Sequence, residues 1–80
     1  MVEAYILIQA SSGELHRVAA NLAKLPAVLE ARAVMGPYDV IAFVRVADAH
    51  ALGTFISTQL QPMEGIMRTL TCSVIESAVG

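Results

Sequence analysis

Apolar and polar positions in this chain fall into short blocks, and two periodicities recur along it. Residues 2–9, Val2-Glu3-Ala4-Tyr5-Ile6-Leu7-Ile8-Gln9, are rich in β-branched and aromatic types and predict a strand. Leu15, Val18, Ala19, Leu22 and Ala23 then repeat at helical spacing, with Arg17, Asn21 and Lys24 on the opposite face. Ser11 and Glu14 have the spacing of a capping box, which predicts reciprocal side-chain closure of that helix at its start. Pro26 predicts its end. Residues 28–35 predict a second strand, and Glu30 and Arg32 on one of its faces suit a sheet edge protected from stray pairing.

Gly36-Pro37-Tyr38-Asp39 predicts a turn, with Pro37 presetting φ and Gly36 supplying dihedrals that other residues resist. Residues 40–46 are almost continuously apolar, as in a central strand buried on both faces. Asp48 is the expected N-cap of a second helix whose buried stripe is Leu52, Phe55, Ile56 and Leu60. Pro62 and Gly65 end it. Residues 66–75 predict a fourth strand, and the last residues a frayed end.

These elements form two similar strand-helix-strand halves, 2–35 and 39–75. Their β-α-β-β-α-β order is that of a ferredoxin-like α+β sandwich with a four-stranded antiparallel sheet. Right-handed crossovers place both helices on one face of that sheet. With no linker or low-complexity stretch in view, residues 1–80 are expected to be a single domain.

The other face of the sheet is then a problem. In the first strand Val2, Ala4, Ile6 and Ile8 alternate with Glu3, Tyr5, Leu7 and Gln9; in the third, Val40, Ala42, Val44 and Val46 alternate with Ile41, Phe43 and Arg45. Whichever set meets the helices, the other retains large apolar side chains. Burying each is worth about 1.5–3 kcal/mol, against a total stability of roughly 5–15 kcal/mol for a domain. Composition agrees: 56% of the 80 residues are hydrophobic, more than so small an interior can hold. The expectation is a homodimer packed sheet face to sheet face. The second helix adds a further surface, because Ala49 through Met63 contains no Asp, Glu, Lys or Arg. Its outward positions are His50, Gly53, Thr54, Ser57 and Gln61, and they read either as a mildly polar surface or as a contact used when dimers assemble into a ring.

A membrane is not the expected home of the apolar surplus. Charged, Gly or Pro residues break every apolar run well short of the ~20 residues a transmembrane helix needs. Met1 leads straight into the first strand without a signal-like region. One cysteine, Cys72, cannot form an internal disulfide, and the expected location is the cytoplasm. The net charge is -2 and the five Lys and Arg residues are scattered, so direct nucleic-acid binding is not expected.

Catalytic chemistry finds little to work with. His16 and His50 fall near helix starts without a carboxylate partner, and Cys72 reads as a small strand hydrophobe. No CxxC, HxxxH or carboxylate cluster offers metal ligands, and no glycine-rich phosphate loop is present. No catalytic residue, metal or cofactor is expected. What remains is the Gly36–Asp39 turn and the row of hydroxyls at Thr69, Thr71 and Ser73 on one face of the fourth strand. A tight hairpin and ordinary β-propensity account for both. Alternatively they hold a small polar ligand. An amino acid would suit, since its ammonium wants a carboxylate such as Asp39 and its carboxylate wants N–H or hydroxyl donors.

Val34-Met35-Gly36-Pro37-Tyr38-Asp39-Val40-Ile41, followed by Gly65-Ile66-Met67-Arg68-Thr69-Leu70-Thr71, resembles the effector-binding (RAM) domain of the Lrp/AsnC family of transcription regulators. Ala4-Tyr5-Ile6-Leu7-Ile8-Gln9 and Leu25-Pro26-Ala27-Val28 resemble it too, so the likeness covers nearly the whole chain. It implies dimers formed through the sheets, octamers or similar rings of dimers, and amino-acid effectors bound between dimers beside the turn. Gly36, Tyr38 and Asp39 would then frame the ligand, with Thr69 and Thr71 as hydroxyl contacts. Full-length members carry a helix-turn-helix domain, whereas this chain begins at the first strand, so the expectation is a stand-alone RAM protein. It would sense an amino acid itself or co-assemble with a full-length regulator. Three other readings compete with this sensing role. They are a dimeric α+β barrel enzyme, an ACT-like regulatory domain with its ligand at Ser11-Ser12-Gly13, and an oligomerisation partner without a ligand.

Overall fold

A computed structural model describes residues 1–76 of the chain. The expected order is observed: β1 (Val2–Ala10), α1 (Leu15–Ala23), β2 (Val28–Ala33), β3 (Val40–Val46), α2 (Ala49–Phe55, continued by a π-helical turn, Ile56–Leu60) and β4 (Ile66–Ser73). All pairings are antiparallel, and the strands lie in the order β2-β3-β1-β4. The fold is ferredoxin-like α+β. β3 is internal and β2 is an edge, as their apolar and charged patterns require. The segment expected to fray at the C-terminus lies, from residue 77 on, outside the described residues.

Alternation decides what each face carries. Ala4, Ile6 and Ile8 stand opposite Val44, Ala42 and Val40, and all six are fully buried. Val18 and Leu22 of α1, Leu52 and Phe55 of α2, and Leu60 of the π turn close over them. On the other face Tyr5 stands opposite Phe43 and Leu7 opposite Ile41. β4 extends those rows with Cys72 beside Tyr5 and Leu70 beside Leu7. β2 ends them with Glu30 beside Phe43 and Arg32 beside Ile41. No helix among the described residues covers this second face: Tyr5 is 47% exposed and Leu70 49%. Cys72 is exposed here, not a buried strand residue.

Several local expectations are corrected. The Ser11–Glu14 capping box does not form, because β1 runs through Ala10 and α1 starts only after Glu14, with no side-chain cap. Ser11 instead donates its amide to the Gly65 carbonyl at 2.7 Å, and its own carbonyl accepts the Glu14 amide at 2.9 Å across a turn containing Gly13. Glu14 pairs with Arg17 at 3.4 Å. Ala23, at the end of the stripe, is exposed. β2 ends at Ala33 and β4 at Ser73, both earlier than their apolar patterns predict. Gly36 does not take a positive φ; among the described glycines, Gly13 (φ 81°) and Gly65 (φ 95°) do.

The second helix tightens its own grip on the core by widening. Asp48 caps it as expected, its carboxylate accepting the Ala51 amide at 2.8 Å. Past Phe55, α-helical spacing would bring the polar Gln59 inward. The π turn lets five residues complete the circuit, so Leu60 follows Phe55 into the core and is fully buried. Hydroxyl competition favours the wider turn: the Thr58 Oγ1 donates to the Thr54 carbonyl at 2.6 Å and the Ser57 Oγ at 3.3 Å. His50, Gly53, Thr54, Ser57 and Gln61 all face outward.

Candidate functional site

The β2–β3 hairpin loop, residues 34–39, bends over the uncovered sheet face instead of closing as a tight turn. Its base is fixed by the Val34 amide donating to the Asp39 carbonyl at 2.8 Å. Its middle is tied to β1, where the Gln9 Nε2 donates to the Pro37 carbonyl at 3.1 Å. Between loop and sheet lies a concavity of about 260 Å³ lined by Leu7, Val34–Tyr38 and Ile41. That is just below the roughly 300–1,000 Å³ of pockets that take drug-sized ligands, a size suited to something smaller. Gly36 and Tyr38, two residues apart in the loop, both line it. Leu7, Val34, Met35, Pro37 and Ile41 were not among the expected site residues. For Leu7 and Ile41 the signal was present in their alternation, which left both on the uncovered face.

Asp39 follows Tyr38 in the loop but does not line the concavity, and it already has a task. Its Oδ2 accepts the Ala10 amide at 2.8 Å, and its own amide donates to the Ile8 carbonyl at 2.8 Å. The residue therefore pins the end of β1, where the pairing with β4 shifts register between Gln9 and Ala10. A carboxylate accepting a backbone amide in a half-buried place is a charge-assisted bond, worth roughly 1.5–3 kcal/mol.

Thr69 and Thr71 are on the opposite face of the sheet. They stand beside Ile8 and Ile6, half-buried on the helix side. Thr69 also lines a second, open groove of about 400 Å³ with Gln61, Ile66, Met67 and Arg68, where the end of the second helix meets the start of β4. Within one chain the five expected ligand residues therefore divide into two groups. Charges on the uncovered face sit at its margins. Arg45 reaches Glu3 with its Nε at 2.9 Å and a terminal nitrogen at 2.6 Å. Arg32 meets Glu30 at 2.7 Å, which holds the Glu30 carboxyl below its ordinary value and the Arg32 guanidinium above its own. Both histidines are exposed on the helices. Among the described residues no group of His, Cys, Asp or Glu is placed to hold a metal ion, and no helix is long and apolar enough to cross a membrane.

Residues 3–79 match the family described as the Lrp/AsnC ligand binding domain. The chain belongs to this family. Among curated proteins it is similar to the HTH-type transcriptional regulator FL11 of Pyrococcus horikoshii, with 30% identity over 74 residues, 92% of this chain and 48% of the regulator. The chain spans about half the length of the curated relatives it matches. Among solved structures, the hypothetical protein PHS023 from Pyrococcus horikoshii superposes with a TM-score of 0.90 at 34% identity, covering 96% of this chain and 93% of that one. TTHA0845 from Thermus thermophilus gives a TM-score of 0.93 at 30% identity and covers both chains completely. Membership places this chain among regulatory ligand-binding domains, a family of domains that generally assemble into oligomers. It also directs interest to the hairpin loop and the open concavity it forms with Leu7 and Ile41.

Proposed function

We propose that this chain is a non-catalytic sensing module that binds an amino acid or a related small effector at a site completed between copies of itself. The observation that carries the reading is the concavity beneath the Gly36–Tyr38 loop, the loop that Asp39 closes, in a member of the Lrp/AsnC ligand-binding family. The Asp39 Oδ1, not engaged by Ala10, would take the effector's ammonium, and loop amides would meet its carboxylate. Thr69 and Thr71 would join from another copy, since they occupy the opposite face of their own sheet.

The same reading includes an assembly. The face bearing Tyr5, Phe43, Leu70 and Cys72 packs against its equivalent in a second chain, and the outward face of the second helix then joins dimers into a ring. The product acts in the cytoplasm in the regulation of amino-acid metabolism or transcription. It works alone or by joining a full-length Lrp/AsnC regulator.

Thermal-shift screening against the standard amino acids tests the reading, because a ligand selective for the native state raises stability by mass action. A shift with at least one of them at millimolar concentration is expected. No shift with any would overturn it.

A further inference from the structure

We infer that Asp39 is a latch joining the hairpin loop to the entry of α1, so that a change at the loop is felt at the helix on the other side of the sheet. The latch would give the sensing site proposed above a route out of its own surface. Its geometry needs no ligand.

Ile8 stands opposite Val40, so a ladder continued by two residues would set Ala10 opposite Tyr38. Tyr38 belongs to the loop, and the Asp39 Oδ2 takes the Ala10 amide in place of a ladder carbonyl, at 2.8 Å. The Asp39 amide donates to the Ile8 carbonyl at 2.8 Å, so one residue grips the end of β1 at two points. The second tie between loop and strand, from the Gln9 side chain to the Pro37 carbonyl, is exposed.

Beyond Ala10 the connection continues without a gap. Ser11 donates to the Gly65 carbonyl at 2.7 Å and accepts the Glu14 amide at 2.9 Å. Gly65 leaves no room for a methyl group against Val18 or Glu14. The Glu14 carbonyl accepts the Val18 amide at 2.9 Å, in the first turn of the helix. Arg17 meets Glu14 at 3.4 Å and Glu64 at 3.5 Å, which ties the same two segments together from outside. Contacts packed this closely transmit a displacement instead of absorbing it.

One place on this path can yield. Gln9 stands opposite Arg68 but Ala10 opposite Ile66, so Met67 is an extra residue in β4 and the ladder is interrupted beside Ala10. With regular pairing lost on that side, the hold on Ala10 falls to Asp39. Releasing Asp39 frees Ala10 and Ser11 together, while β1 stays in the sheet as far as Ile8.

The test is amide hydrogen exchange, read by NMR on the intact, assembled chain without ligand. The Ile6 and Val44 amides report global opening, and the others are read relative to them. Asp39→Ala should speed exchange at Ser11 and Val18 by about tenfold beyond any change at Ile6 and Val44. Gln9→Ala removes the other tie and should leave both within about twofold of wild type. Gly65→Ala, strained at the far end, should speed the Ala10 and Asp39 amides by about tenfold in the same terms, because a coupling free energy is reciprocal. The latch is overturned if Asp39→Ala alters only the loop and Ala10, or if Gln9→Ala acts as strongly as Asp39→Ala. Should Asp39→Ala fail to fold, Gly65→Ala decides alone, and unchanged Ala10 and Asp39 amides overturn the latch. The amino-acid reading, judged by thermal shift, stands or falls separately.

Discussion

Gly65 passes so close to Val18 that a methyl group on its Cα would stand 2.9 Å from the Val18 Cγ2. The same methyl would be 3.0 Å from the Glu14 Cβ, and the residue holds φ at 95°. Its carbonyl receives the Ser11 amide, so this one glycine joins the entry to α1 with the start of β4. Gly65→Ala should destabilise the fold by about 1–3 kcal/mol, from backbone strain and overpacking together. Urea denaturation measures it; an unchanged midpoint would show that neither effect operates.

Asp39 allows structure and binding to be separated. Asp39→Ala leaves the Ala10 amide without its acceptor and should cost about 1–3 kcal/mol as well as the response to an effector. Asp39→Asn keeps an oxygen for Ala10 but has no charge for an ammonium. It should retain most of the stability and lose the effector-induced thermal shift. A full shift in the Asn variant would remove Asp39 from the site.

Leu60 reports on the π turn. Because the turn delivers it to a fully enclosed position, Leu60→Ala should destabilise by roughly 2–5 kcal/mol, as a core truncation does. Were the turn a frayed helix end, the loss would be well under that range. Calorimetric unfolding distinguishes the two.

The Tyr5 and Phe43 rings lie 4.8 Å apart, centroid to centroid, at the middle of the uncovered face. Phe43→Glu puts a charge at that centre without touching the helix-side core. Wild-type chain at micromolar concentration should sediment as a dimer or larger, and the variant as a monomer. A monomeric wild type, or an unchanged variant, would rule out this face as the interface.

Glu30 and Arg32 give a pH dependence of known sign. Arg32 holds the Glu30 carboxyl below its ordinary value of 4.5 in the folded chain. The contribution to stability is therefore present above the ordinary carboxylate range and lost as pH falls from there through the depressed folded value. Both groups are exposed, so the effect is small and screened by salt. The stability advantage of wild type over Glu30→Gln should be measurable near neutral pH in low salt and vanish in acid. An advantage that persists unchanged into acid would contradict the pairing.

The architecture was legible in the chain because alternation in β1 and β3 and the stripes of both helices are strong, local patterns. Details set by tertiary contact were not. Ser11 looks like a helix cap, but Gly65 claims its backbone from the far half of the chain, and nothing near Ser11 announces that. The π turn is written in the hydroxyls of Ser57 and Thr58 only once the Thr54 carbonyl is known to be their shared partner. At the site, Gly36 and Tyr38 were legible as a loop. That Asp39 is bonded to Ala10, and that Thr69 and Thr71 face the helices, depended on register, which a single strand does not reveal.

If the uncovered sheet face pairs with a second chain as proposed, the abundance of this chain becomes part of its chemistry. When the dimer is the folded unit, stability and site integrity both rise with the concentration of chain. A cell that makes less of it has fewer sites, and each is also less completely formed. The response to an effector then falls faster than copy number alone would dictate, and synthesis rate becomes a second input to the sensor alongside its ligand.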